Sequence, residues 1–172
     1  MSLFFSKKVN RNSVVGIWHI TESLEELLKM KILSEEDLSV LDSFSYENRK
    51  KEWLVARIVV ERLTEKKDIQ IIYDNHNKPF LKNFEKHVSI SHSHRLLAVI
   101  LDESETGIDI ERIKSQISTI KEKFMSDSEL ASLQKEMQHE QMTVYWCAKE
   151  SLYKLYGKKE LVFKENLIIE PF

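Results

Sequence analysis

Apolar residues along this chain follow two periods. Residues 14–20 form a short run rich in β-branched side chains and predict a strand. Residues 21–43 predict two helices, one begun at Thr21 ahead of an acidic turn and one at Ser34-Glu35-Glu36-Asp37. Over residues 47–66, Trp53, Ala56, Val60 and Leu63 recur at spacings of three and four, which predicts a long helix with one apolar stripe. Strands are expected at residues 69–73, 88–91 and 96–101. A turn at Asp74-Asn75-His76-Asn77 leads into Lys78-Pro79-Phe80-Leu81. After a polar turn, Gly107-Ile108-Asp109-Ile110-Glu111 alternates like a further strand. From Ser118 the period is helical, over residues 119–124, 127–138 and 139–156, and Gly157 caps the last of these. Residues 161–163 and 167–169 predict closing strands. The order of elements implies an α+β fold with mostly antiparallel sheets.

Composition narrows the function. The 172 residues suit one domain or two small lobes, and the 42% hydrophobic share is that of a globular chain. A formal net charge of −2 gives no basic surplus for nucleic acid. Glycine is scarce, at 3 where average usage gives about 12. Gly-rich phosphate loops are thereby excluded, so any bound phosphate must be held by side chains or helix ends. The single cysteine, Cys147, cannot form an intramolecular disulfide, and no long apolar run occurs. A cytoplasmic protein without membrane association is expected.

Four places could carry chemistry. On a strand, Asp109 and Glu111 face the same side while Ile108 and Ile110 face the core. Two such carboxylates repel unless a cation or proton lies between them, and Mg²⁺ favours oxygen ligands of this kind. The alternative is a solvated polar face. In the helix around Trp146-Cys147-Ala148-Lys149-Glu150-Ser151-Leu152-Tyr153-Lys154, Trp146, Glu150 and Lys154 share one stripe. Val144, Ala148, Leu152 and Leu155 share another, by which the helix is expected to pack; Cys147 reads as a packing residue. Glu150 and Lys154 also fit an ordinary i,i+4 pair. His92, beside Ser91 at a strand end, suits phosphate binding or proton transfer, or a plain surface position. The remaining histidines have no metal-site spacing. Arg57 lies beside the apolar stripe of its helix and needs a partner, either Glu61 or an anionic ligand.

Taken in order, these motifs resemble the 4'-phosphopantetheinyl transferases of the surfactin-synthetase type. That family pairs a G-[IV]-D-x-E strand with a W-x-x-K-E-[AS]-x-x-K helix, here Gly107 to Glu111 and Trp146 to Lys154. Glu52-Trp53-Leu54-Val55-Ala56-Arg57, Asn77-Lys78-Pro79 and Ser89-Ile90-Ser91-His92-Ser93 match three further family segments. The resemblance spans roughly residues 14–170. It implies two similar lobes, residues 1–103 and 104–172, in a monomer with a pseudo-twofold relation and the site between them. It implies transfer of the 4'-phosphopantetheine arm of coenzyme A to a serine of an apo carrier protein, with release of 3',5'-ADP. Asp109, Glu111 and Glu150 match the Mg²⁺ ligands, with Mn²⁺ as an alternative metal. Glu150, Lys154 and His92 match catalytic positions. Lys51, Arg57, Lys78, Pro79, Ser91, His92 and Lys154 match coenzyme A contacts, and Glu129 matches an acidic position near the site. Relatives have glycine where Asn77 stands, some have lysine where Asn48 stands, and they continue some tens of residues beyond Ile169, so the second lobe is expected to be short at its end. A Mg²⁺-dependent pyrophosphate hydrolase and a non-enzymatic binder of coenzyme A or carrier protein are the alternatives.

Overall fold

The computed structural model describes residues 5–158 and 160–172. Its strands are β1 (Phe5–Lys8), β2 (Val14–His19), β3 (Ile71–Tyr73), β4 (Pro79–Leu81), β5 (His87–Ser93) and β6 (Leu96–Asp102). They form one antiparallel sheet in the order β1-β2-β6-β5-β4-β3. The helices are α1 (Leu24–Leu28), α2 (Glu35–Ser43), α3 (Glu47–Thr64), α4 (Lys121–Phe124), α5 (Asp127–Ala131), α6 (Gln138–Tyr156) and α7 (Phe163–Asn166). Short 3₁₀ turns occupy Ser115–Thr119 and Lys135–Met137. This is the expected α+β class.

Period-two alternation decides which face of the sheet α3 covers. Val14, Gly16 and Trp18 of β2 lie in register with Leu101, Val99 and Leu97 of β6, and Val88 of β5 pairs with Leu101. These side chains meet Leu54, Val55, Ile58, Val59 and Leu63 of α3 in the larger core. Each fully buried Leu or Val there stabilises the fold by roughly 1.5–3 kcal/mol. The opposite face of β5 carries Ser89, Ser91 and Ser93. Residues 107–111 run along that face, with α6 beyond them.

A second, smaller cluster holds Phe124, Met125, Met142 and Tyr145, with Trp146 and Phe163 against it. Its centre is polar. Lys149 is 0% exposed and Glu129 1%, and Lys149 Nζ donates to Glu129 Oε2 at 2.7 Å and to the Phe124 carbonyl at 2.6 Å. Glu129 also accepts the backbone N–H groups of Ser126 and Ile169. Both carboxylate oxygens of Glu129 are thus partnered, and the Phe163 carbonyl at 3.3 Å takes a third bond from Lys149.

Several expectations are corrected. β1, all four residues exposed, is a strand outside the predicted elements. The first short helix is capped by Ser23 with Glu26 in a capping box, so Thr21 is outside it. Residues 107–111 are extended but join no strand ladder. Alternation encodes an extended chain with two faces, not a backbone partner, and here serine hydroxyls meet the Ile108 and Ile110 N–H groups. Residues 161–163 and 167–169 form no strand; the Asn166 side chain reaches back to the Val162 N–H and closes a helical turn instead. The long expected helix over 127–138 ends at Ala131 and is followed by a 3₁₀ turn. On α6 the stripe expected to pack is only half covered: Ala148 and Leu155 are partly buried, whereas Val144 is 49% and Leu152 37% exposed. The buried face is Met142, Tyr145 and Lys149, because the paired lysine can enter the core.

Candidate active site

Gly107 opens the acidic segment where it crosses α6. A Cβ there would overlap the Ser151 carbonyl oxygen, so only glycine permits this approach. The next residues are then pinned between β5 and α6. Asp109 Oδ1 accepts from Ser91 Oγ at 2.6 Å and from Lys154 Nζ at 2.7 Å. Lys154 also donates to the Ile108 carbonyl at 3.1 Å. Glu111 Oε2 accepts from Ser93 Oγ at 2.8 Å. Asp109 Oδ2 is buried and has no hydrogen-bond partner, which is costly for a carboxylate oxygen.

Glu150 lies half-buried on α6 between Trp146 and Tyr153, beside the aromatic groove of Phe124 and Phe163. Burial raises its pKa above the ordinary range; Asp109 and Glu111 raise it further, against the pull of Lys154. Glu150 therefore feels both other carboxyl groups, and the Lys154 ammonium, bonded to Asp109, offsets part of their charge. Among the described residues, no three His, Cys, Asp or Glu side chains are placed to hold a metal ion together. The donor chemistry nevertheless fits a hard divalent cation: the groups are all oxygen, mutually repelling, and one buried oxygen lacks a partner. Cys147 is the wrong kind of ligand and the wrong kind of nucleophile here. Burial, then Asp109, pushes its thiol up to about 12.

Beside this cluster, at the C-terminal end of α6, a cleft of about 160 Å³ opens against β4 and β5. Lys78, Pro79, Tyr153, Lys154, Gly157 and Lys158 line it, and no carboxylate does. Lys78 comes from the turn after Asp74, where Asn77 takes φ 65°, a left-handed conformation that asparagine tolerates. Its Nζ donates to the Leu155 carbonyl at 2.9 Å, close to Gly157, which closes α6 at φ 68°. The turn and the helix end are thus tied together around a cationic cleft.

A third group lies at the other end of β5. His92 points to the α3 face, opposite to Ser91. Its Nδ1 is 3.4 Å from Glu52 and its Nε2 is 3.2 Å from Arg49. Lys51 pairs with Glu47 at 2.9 Å and lines a polar pocket with Glu52, His94 and Arg95. Arg49 is the residue that sequence reasoning missed; its spacing from Glu52 hints at a pair, but its meeting with His92 is long-range.

The structure therefore brings Asp109, Glu111, Glu150 and Lys154 together, and Lys78 and Pro79 beside Lys154. It separates Ser91 from His92. It also encloses Arg57, which is 6% exposed and stacked 3.3 Å over the Trp53 ring centre. Its guanidinium donates to the Trp53 and Ile71 carbonyls and faces Asp37 at 3.6 Å. The expected partner Glu61 instead holds Lys31. Glu129 is a core residue paired with Lys149, with no oxygen turned toward the carboxylates.

The segment that makes this geometry decides the family likeness. Residues 105–171 match the 4'-phosphopantetheinyl transferase superfamily. The match contains Asp109, Glu111, Glu150 and Lys154, whereas Lys51, Lys78 and His92 lie upstream of it. Curated 4'-phosphopantetheinyl transferases are similar too. One from Aneurinibacillus migulanus is 35% identical over 88 residues, 49% of this chain and 37% of that protein. One from Bacillus subtilis is 33% identical over 87 residues, covering 48% and 39%. The Bacillus subtilis 4'-phosphopantetheinyl transferase ffp is 32% identical over 110 residues, covering 61% and 49%. The matches thus span less than half the length of these relatives. No helix among the described residues is long and apolar enough to cross a membrane.

Proposed function

We propose that this chain is a 4'-phosphopantetheinyl transferase that moves the phosphopantetheine arm of coenzyme A to a serine of an apo carrier protein and releases 3',5'-ADP. The observation that carries the reading is Asp109: a buried carboxylate with one unpartnered oxygen, electrostatically coupled to Glu150 and bonded to Lys154, which also lines the lysine-rich cleft. Asp109, Glu111 and Glu150 would hold Mg²⁺, or Mn²⁺ in its place. Such a cation, when bound, neutralises the charge that develops on a breaking pyrophosphate.

The chain's own residues supply the rest. Lys78 and Lys158 place positive charge along the cleft for the anionic nucleotide, while Pro79 offers an apolar wall for adenine. Lys154, within reach of both the cleft and Asp109, stabilises the departing phosphate oxygen. Glu150, with a raised pKa, is matched to accept the proton of the carrier serine. His92 with Arg49, and Lys51 in the neighbouring pocket of His94 and Arg95, supply positive charge suited to a terminal phosphate. The same proposal includes lobes of residues 1–103 and 104–172 in a pseudo-twofold, monomeric, cytoplasmic protein. The two apolar clusters on either side of residue 103 support the division.

The test mixes the protein with coenzyme A, Mg²⁺ and apo carriers of the fatty-acid, polyketide and peptide-synthetase types. The carrier should gain one phosphopantetheine mass, and Asp109→Ala should abolish the gain. Release of 3',5'-ADP without any carrier would replace the reading with a hydrolase. Calorimetric binding of coenzyme A without turnover would leave only a binder.

A further inference from the structure

The acidic segment is not held by a backbone ladder. Three alternate residues of β5 take that task with their side chains. Ser89 Oγ accepts the Ile108 N–H at 3.1 Å, and Ser91 Oγ accepts the Ile110 N–H at 3.4 Å. Ser91 then donates its own proton to Asp109 Oδ1 at 2.6 Å, and Ser93 donates to Glu111 Oε2 at 2.8 Å. The spacing is consistent throughout: serines two apart on the strand meet residues two apart on the segment. Because a strand repeats every two residues, the three hydroxyls lie in one row. Ser89 and Ser91 are buried, so these bonds are not exchanged freely with water.

A hydroxyl in this place does what a backbone carbonyl cannot. It accepts from an amide and donates to a carboxylate at once. A ladder carbonyl would satisfy the Ile110 N–H but would repel Asp109. We infer that Ser91 and Ser93 are positioning residues for the carboxylates, with Ser89 fixing the register, so that β5 sets the aim of Asp109 and Glu111 toward the cation of the proposed reaction. Ser91 thus acts through Asp109. The inference rests on the reading of Asp109 and Glu111 as metal-binding groups.

Two measurements test it on the full chain. Amide exchange followed by NMR should show faster exchange at Ile108 in Ser89→Ala and at Ile110 in Ser91→Ala; unchanged rates would overturn the row. Mn²⁺ binding, read by the loss of the free-ion electron paramagnetic resonance signal with coenzyme A present, should weaken about 10- to 100-fold in Ser93→Ala, the usual consequence of losing a group that orients a ligand. Ser93→Thr, which keeps the hydroxyl, should restore it. Ser93 lies at the strand end and is only partly buried, so its variants keep the test open if Ser91→Ala fails to fold. Equal Mn²⁺ affinity in wild type and Ser93→Ala would overturn the positioning role. Absence of Mn²⁺ binding by the wild type would instead overturn the metal reading, and the positioning role with it, while the exchange result separately decides the serine contacts.

Discussion

The two halves of this molecule are stabilised by different physics. Around α3 and the sheet, a wide apolar core fills the space, and the buried charges Arg57, Lys31, Glu22 and Asp102 are each partnered separately around it, Arg57 against carbonyls, Asp37 and Trp53. Around α6, four fully buried apolar side chains surround an ion pair, Lys149 and Glu129, whose partners come from α4, α5, α7 and the segment near Ile169. In the first half any one contact is a small part of the whole. In the second, one ammonium ties α6 to α4, α5 and α7, and its partner Glu129 adds the segment at Ile169. The proposed site uses both: its carboxylates are aimed by the sheet and its lysine stands on α6.

The sharpest way to break that contrast is Lys149→Met. It leaves Glu129 buried and unpaired and should cost about 3–5 kcal/mol, measured by denaturant unfolding. Replacing both members, with Glu129→Leu added, should recover much of that loss, and a double-mutant cycle would show the coupling. Leu54→Ala in the larger core should cost about 2–5 kcal/mol, but without selective loss of order around α6. Gly107→Ala tests the junction. Its Cβ must push the acidic segment off α6, and displacement by about 1 Å should lower carrier loading about 100-fold with smaller change in global stability.

Acid should separate the halves as well. Burial alone would raise the Glu129 pKa, but the Lys149 ammonium and the Ile169 and Ser126 N–H groups outweigh it and hold the carboxyl below the ordinary range. A depressed pKa contributes stability that is present above the ordinary carboxylate range and is lost as pH falls through the depressed value. Amides of α6 should therefore lose exchange protection in acid before those of β6. Asp102, held low by Ser13 and Ser104, gives the sheet edge a dependence of the same sign. The smallest contrast is between two capping boxes. Ser126→Ala should cost about 1–2 kcal/mol, since its box partner Glu129 is also the core carboxylate. Ser23→Ala, whose partner Glu26 is exposed, should cost less.

Much of the fold was legible because it is local. The stripe of α3, the alternation of β5 and the apolar runs of β2 and β6 appear in the sequence as they appear in space. So do the Ser34 cap of α2 and the Gly157 end of α6. The site was legible in part. Gly107 to Glu111 and Trp146 to Lys154 each form a short motif, and the structure joins them through Lys154 and Asp109. Arg57 misled because a cation beside an apolar stripe looks available for a ligand, whereas Asp37 and two carbonyls enclose it. Val144 and Leu152 misled because apolarity and burial are different things when a helix has two apolar stripes.

The sequence by itself determined the periods, caps and turns, and which residue types could serve a cation and an anion. Those are properties of a few neighbouring residues. Only the tertiary structure decided that Lys149 is buried, that Ser91 serves Asp109 while His92 meets Arg49, and that the acidic segment lies on hydroxyls. Each of these depends on a partner 18 or more residues away. No local period encodes such a distance, because it is set by how the sheet and α6 pack across the segment between them.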